Sequence, residues 1–93
     1  MVKHVVMWSF KPEVDKEVAF RKMKEIFSTM EGKIPGMQKL ELIKGYQGYD
    51  ACLITEHASR ADIDVYQEHP LHQPVKHYMH SIIAGRASCD GEG

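Results

Sequence analysis

The sequence predicts one α+β domain whose strands and helices follow the order β-α-β-β-α-β. Two observations support this class. The 93 residues fit a single domain, since domains usually take about 100–200 residues. Apolar residues along the chain also switch between alternation, which is typical of strands, and helical spacing. We expect the domain to span residues 1–90, with residues 91–93 as a flexible tail.

The first strand is predicted at Val2–Phe10. Both of its faces are partly apolar, unlike those of a strand with one face in water. We therefore expect a layer of protein on each side of the sheet. The faces consist of Val2, His4, Val6, Trp8 and Phe10 on one side and of Lys3, Val5, Met7 and Ser9 on the other.

A helix is predicted to follow, with Asp15 as its N-cap and Gly32 as its left-handed end. Pro and Gly then stand at the second and third positions of a turn in Ile34–Gly36, which is typical of a type II turn. The apolar residues at helical spacing are Ala19, Met23, Ile26, Phe27 and Met30.

Two further strands are predicted at Met37–Lys44 and Tyr49–His57, joined by a glycine-rich turn. Ser59 and Asp62 match the S-x-x-[DE] capping pattern, so a helix is expected to begin near Arg60. Pro70 should end or kink this helix because it has no backbone N–H. A further helix is expected to begin near Leu71, and a last strand to span Ile83–Cys89.

This order is that of the ferredoxin-like fold, a four-stranded antiparallel sheet with helices on one face. The helices leave the second face uncovered, although it holds Val5 and Met7. A second copy of the same sheet would cover it economically. We therefore predict a symmetric homodimer formed through this open face.

Composition excludes several function classes. Twelve Lys and Arg residues against thirteen Asp and Glu residues give a net charge of −1, whereas nucleic-acid binders are usually basic. No apolar run approaches the roughly 18 residues of a membrane span. Cys52 and Cys89 are too few for a disulfide framework. We expect a cytoplasmic protein with reduced thiols that binds neither nucleic acid nor membranes.

Four segments resemble one known family. They are the opening Val2–Lys11, the central Lys33–Gly36, the pair Tyr49–Asp50 and the segment Tyr66–His72, which has the pattern Y-x-x-H-P-x-H. Together they resemble the stress-responsive A/B barrel (Dabb) domain family. The resemblance implies a ferredoxin-like fold that dimerises sheet to sheet into an α+β barrel.

The resemblance also implies candidate site residues. Some plant members of the family are stress proteins, and a polyketide cyclase of the family closes a ring by aldol condensation without a cofactor. Its motifs place catalytic roles at Tyr66 and His72, and pocket positions at His4 and His69. Trp8, on the same strand face as His4, is expected beside them. The resemblance does not extend to the identity of a substrate.

These residue types suit acid/base chemistry. A neutral His72 could remove a proton next to a carbonyl near neutral pH. The Tyr66 hydroxyl could then donate a hydrogen bond to the developing enolate oxygen. Such chemistry needs no cofactor, and none is predicted.

Other interpretations stay open. The chain could be a non-catalytic dimeric stress or binding protein in which the histidines and aromatic residues simply pack. It could also be a cofactor-free or haem-linked monooxygenase of the dimeric α+β barrel group. His69 with His72, and His77 with His80, have H-x-x-H spacing, but zinc sites usually need three or four ligands. No metal site is predicted.

Overall fold

The structure, a computed structural model, describes Met1–Gly93 and contains four strands and three α-helices. The strands form one antiparallel sheet in the order β2-β3-β1-β4, which places β1 in its interior. This confirms the predicted α+β, ferredoxin-like fold. The elements are β1 (Val2–Phe10), α1 (Lys16–Ser28), β2 (Met37–Lys44), β3 (Ala51–His57), α2 (Arg60–Glu68), α3 (Gln73–Ile82) and β4 (Ile83–Glu92).

A sharp corner separates α2 from α3. His69 has an extended backbone (φ −63°, ψ 138°), and one 3₁₀ turn, Pro70–His72, connects it to α3. Pro70 causes the break because it lacks an N–H and disfavours helical geometry in the residue before it. Tyr66, His69 and His72 therefore do not lie on one continuous helix.

Two strand boundaries differ from those expected. β3 begins at Ala51 instead of Tyr49, because the Asp50 carboxylate accepts a hydrogen bond from the Phe10 N–H at 2.7 Å. β4 continues past Cys89 to Glu92, into the segment expected to be a flexible tail. The reason lies in β1, whose first residue Val2 pairs with Glu92. The composition of residues 91–93 does not indicate that they pair with β1.

The connection from α1 to β2 depends on two glycines. α1 ends at Ser28, earlier than expected, and Gly32 (φ 75°) lies in the turns that follow. Gly36 has φ 79°, and the Met37 N–H donates to the Ile34 carbonyl at 3.2 Å. This is the predicted turn with glycine at its third position.

The two faces of the sheet differ in what covers them. The face with His4, Trp8 and Phe10 is buried under the helices, where Met23 and Phe27 of α1 are almost fully enclosed. The opposite face, which we call the open face, is only half-buried and is largely apolar. It includes Val5, Met7, Cys52 and Ile54. Both cysteines are free thiols. No helix is long and apolar enough to cross a membrane.

Candidate functional site

A cavity of about 360 Å³ lies between the helix-covered face of the sheet and the helices α2 and α3. Its volume is at the lower end of the range of small-molecule sites, about 300–1,000 Å³. Most of its wall is apolar, and a few polar side chains interrupt it. Four of the five predicted site residues line it together: His4, Trp8, Tyr66 and His72.

Tyr66 is at the centre of the polar part of this wall. It belongs to α2, is only 1% exposed, and its hydroxyl has no hydrogen-bond partner. Three imidazole rings surround its ring, with centroid separations of 4.4 Å to His72, 5.4 Å to His57 and 5.8 Å to His4. Burial raises the pKa of Tyr66 far above its ordinary value. The phenol therefore stays protonated and can act as a donor.

His72 is placed by the Pro70–His72 turn and comes directly before α3. It is 8% exposed, and its Nδ1 has no hydrogen-bond partner. Burial lowers the pKa of His72 to about 4, with smaller contributions from the charges of Lys76 and His4. The imidazole is therefore neutral at pH 7 and able to accept a proton, although it is a weak base.

His4 is held by groups from two other elements. Its Nδ1–H donates to the Asp90 carboxylate of β4, the residue directly opposite it in the sheet. Its Nε2 lies 3.4 Å from the Gln67 amide nitrogen, which donates to it. The carboxylate fixes the tautomer of the ring and leaves Nε2 as the acceptor.

His69 does not line the cavity. Its Nδ1 accepts a hydrogen bond from the Leu71 N–H at 3.1 Å and so caps the Pro70–His72 turn. The pocket position expected for His69 is thus replaced by a capping position. The extended backbone at His69 is the cause, because it turns this residue away from the helix face that bears Tyr66.

Two residues near the site were not identified from the sequence. His57 is fully buried, and its Nε2 lies 2.8 Å from Thr55 Oγ1; the alternation of β3 could have placed it on the inner face beside Leu53. Burial lowers the pKa of His57. Asp90 was not predicted as a site residue because it directly precedes residues 91–93, which were expected to form a flexible tail.

The H-x-x-H pairs do not form a cluster. His80 lines the cavity wall, whereas His77 is exposed on α3. No group of three or more His, Cys, Asp or Glu side chains is arranged to hold a metal ion.

The fold and the site together define a ferredoxin-like domain with a small-molecule-sized cavity under its helices. The sequence matches the stress responsive A/B barrel domain, Dabb, over residues 2–92. The chain therefore belongs to the Dabb family, as its motifs predicted.

Solved structures share the fold. A dimeric protein of unknown function from Bacteroides fragilis has a TM-score of 0.87 at 24% identity, covering 99% of this chain and 95% of that one. A Dabb family protein from Mesorhizobium loti has a TM-score of 0.75 at 21% identity, with 99% and 95% covered. A hydroxynitrile lyase from Passiflora edulis has a TM-score of 0.80 at 11% identity, with 97% and 90% covered. No curated protein matches the sequence significantly.

Proposed function

We propose that this Dabb domain binds a small carbonyl compound in its cavity and moves a proton of that compound without a cofactor. In this proposal, His72 removes the proton next to the carbonyl, and the Tyr66 hydroxyl donates to the resulting enolate oxygen. His4, held by Asp90, and Trp8 form the wall beside them.

One observation is the main support. The Tyr66 hydroxyl and His72 Nδ1 are buried without hydrogen-bond partners in neighbouring rings on the wall of one cavity. An unpartnered buried polar group costs about 1–3 kcal/mol. Two such groups together are expected where a ligand supplies the missing partners. The fold also occurs in a hydroxynitrile lyase, so this scaffold is compatible with an enzyme.

The proposal includes a homodimer formed through the open face. Val5 and Met7 lie at the middle of this face, and Ile43 on the edge strand β2 is 41% exposed. Apolar side chains grouped at the middle of an uncovered sheet face are typical of a subunit interface. The Bacteroides fragilis protein with this fold is itself described as dimeric.

Proton exchange tests the catalytic part of the proposal. The neutral ketone 4-oxo-4-phenylbutanamide would be incubated with the protein in D₂O, and exchange of the protons next to its ketone followed by NMR. We expect faster exchange with the protein than with buffer. Loss of a general base should slow the enzymatic rate by about 10²–10⁴-fold, so we expect His72→Ala to approach the buffer rate.

His77→Ala is the matched control, because His77 lies on α3, directly after the turn that holds His72, but is exposed and outside the cavity lining. It should exchange at the wild-type rate. Full activity of a folded His72→Ala protein would contradict the role given to His72. Binding of the ketone with no faster exchange would favour the non-catalytic binding protein.

A further inference from the structure

The permanently charged side chains that line the cavity are all cations. Lys76 of α3 and Arg86 of β4 both line the cavity, and no Asp or Glu does. Neither cation has a carboxylate within 4.0 Å. The nearby Asp90 carboxylate is already engaged by His4. This local excess of positive charge occurs in a chain with a net charge of −1.

Both cations are close enough to influence the buried groups. The Arg86 guanidinium lowers the pKa of Tyr66 and so partly opposes the larger effect of burial, which raises it. The Lys76 ammonium adds to the effect of burial in lowering the pKa of His72. The two cations therefore lie at the same site as Tyr66 and His72, and the apolar wall connects them.

We infer that the ligand of this cavity is a small carboxylic acid in its ionised form. Its carboxylate is bound by Arg86 and Lys76, its apolar body lies against residues such as Trp8 and Met79, and its carbonyl accepts from Tyr66. This inference rests on the proposed function and adds the chemical class of the substrate. A guanidinium and an ammonium without partners are suited to a carboxylate, because charge-assisted hydrogen bonds are stronger than neutral ones.

The charge of such a ligand has a consequence for the chemistry. A bound carboxylate offsets the positive charge of Lys76 and favours the protonated form of His72. The pKa of His72 should therefore rise in the complex, and the imidazole becomes a stronger base when the substrate is present. A neutral ligand would lack this effect.

A pair of nearly identical compounds tests the inference. Dissociation constants for 4-oxo-4-phenylbutanoate and its neutral amide would be measured by titration calorimetry at pH 7.5. The compounds differ only in replacing a carboxylate by an amide. We expect the acid to bind about tenfold more tightly, which corresponds to one charge-assisted hydrogen bond. Added salt should weaken binding of the acid and leave the amide unchanged.

Variants locate the effect. Arg86→Gln and Lys76→Gln should each remove most of the preference for the acid, because each weakens binding of the acid more than binding of the amide. Arg21→Gln and Lys22→Gln, on the exposed side of α1, are the matched controls and should keep the full preference for the acid. Equal affinity for both compounds, or an unchanged preference in both cavity variants, would overturn the inference alone. Binding of neither compound would overturn it together with the proposed function.

Discussion

The Tyr66 hydroxyl is buried without a partner, and this has a measurable effect on stability. Removing it by Tyr66→Phe takes away an unsatisfied polar group and keeps the ring in place among its three imidazoles. We expect the free energy of unfolding of the ligand-free protein to rise by about 1 kcal/mol in urea denaturation. Tyr46→Phe is the control and should change nothing, because Tyr46 is 98% exposed. A loss of stability in Tyr66→Phe would show that the hydroxyl has a partner.

His72 should make the stability of the protein depend on pH. Its pKa falls from 6.5 in the unfolded chain to about 4 in the folded one, so the unfolded state binds more protons between these values. Stability is therefore lost as the pH falls through this window, by an amount on the order of 3 kcal/mol. Urea unfolding at several pH values should show that the free energy of unfolding falls less steeply with decreasing pH in His72→Gln than in the wild-type protein. His57 also has a lowered pKa but is present in both proteins. Parallel curves for the two would contradict the prediction.

At the residue scale, the motifs named residues that line one cavity, but not the residue that holds His4 in place. The Y-x-x-H-P-x-H motif identifies Tyr66 and His72, and the alternation of β1 places His4 on the buried face of the sheet. These two local patterns are enough to predict that the three side chains lie close together. Asp90 reaches His4 only through the pairing of β1 with β4. Such a contact depends on strand register, and composition alone does not determine it. His69 was misplaced for a local reason, the extended backbone before Pro70.

At the scale of the elements, the turn before β2 is sensitive to a small substitution. Gly36 has φ 79°, and an added Cβ would lie 2.2 Å from Asp62 Cγ. Gly48 has φ 85° with no atom within 4 Å of an added Cβ. An alanine with positive φ destabilises a protein by about 1–2 kcal/mol. Gly36→Ala and Gly48→Ala share this cost.

Only Gly36→Ala adds the clash with Asp62. We expect it to lower the free energy of unfolding by about 1–3 kcal/mol more than Gly48→Ala. Asp62 accepts from the Ser59 hydroxyl at 2.9 Å at the start of α2, so its displacement also weakens that cap. Denaturant unfolding of the two variants measures the difference. Equal losses would show that Asp62 moves aside at no cost.

Most elements could be predicted because their signals are local. The N-caps Asp15 and Ser59 and the strand Met37–Lys44 were found from neighbouring residues alone. The start of β3 and the end of β4 were not, because each depends on a partner elsewhere in the chain. Asp50 binds the Phe10 N–H, and Glu92 pairs with Val2.

At the scale of the whole molecule, the proposed dimer makes a clear prediction. Met7→Asp, or Val5→Asp, would place a charge without a partner between the two sheets, which costs several kcal/mol. We expect light scattering to report monomers or unfolded protein instead of dimers. Val18→Asp is the matched control, because Val18 is an apolar residue of α1 that is 54% exposed. Unchanged dimer mass in Met7→Asp would exclude the open face as the interface.

The interior position of β1 has a consequence for the kinetics of folding. The first strand of the chain pairs with β3 on one side and with the last strand, β4, on the other. Its hydrogen bonds therefore close long loops, and loop closure must precede the energy gained from pairing. During synthesis, β1 leaves the ribosome before its partner β4. Until then, β1 has an unpaired edge, which is the feature of a nascent chain that chaperones typically protect from aggregation.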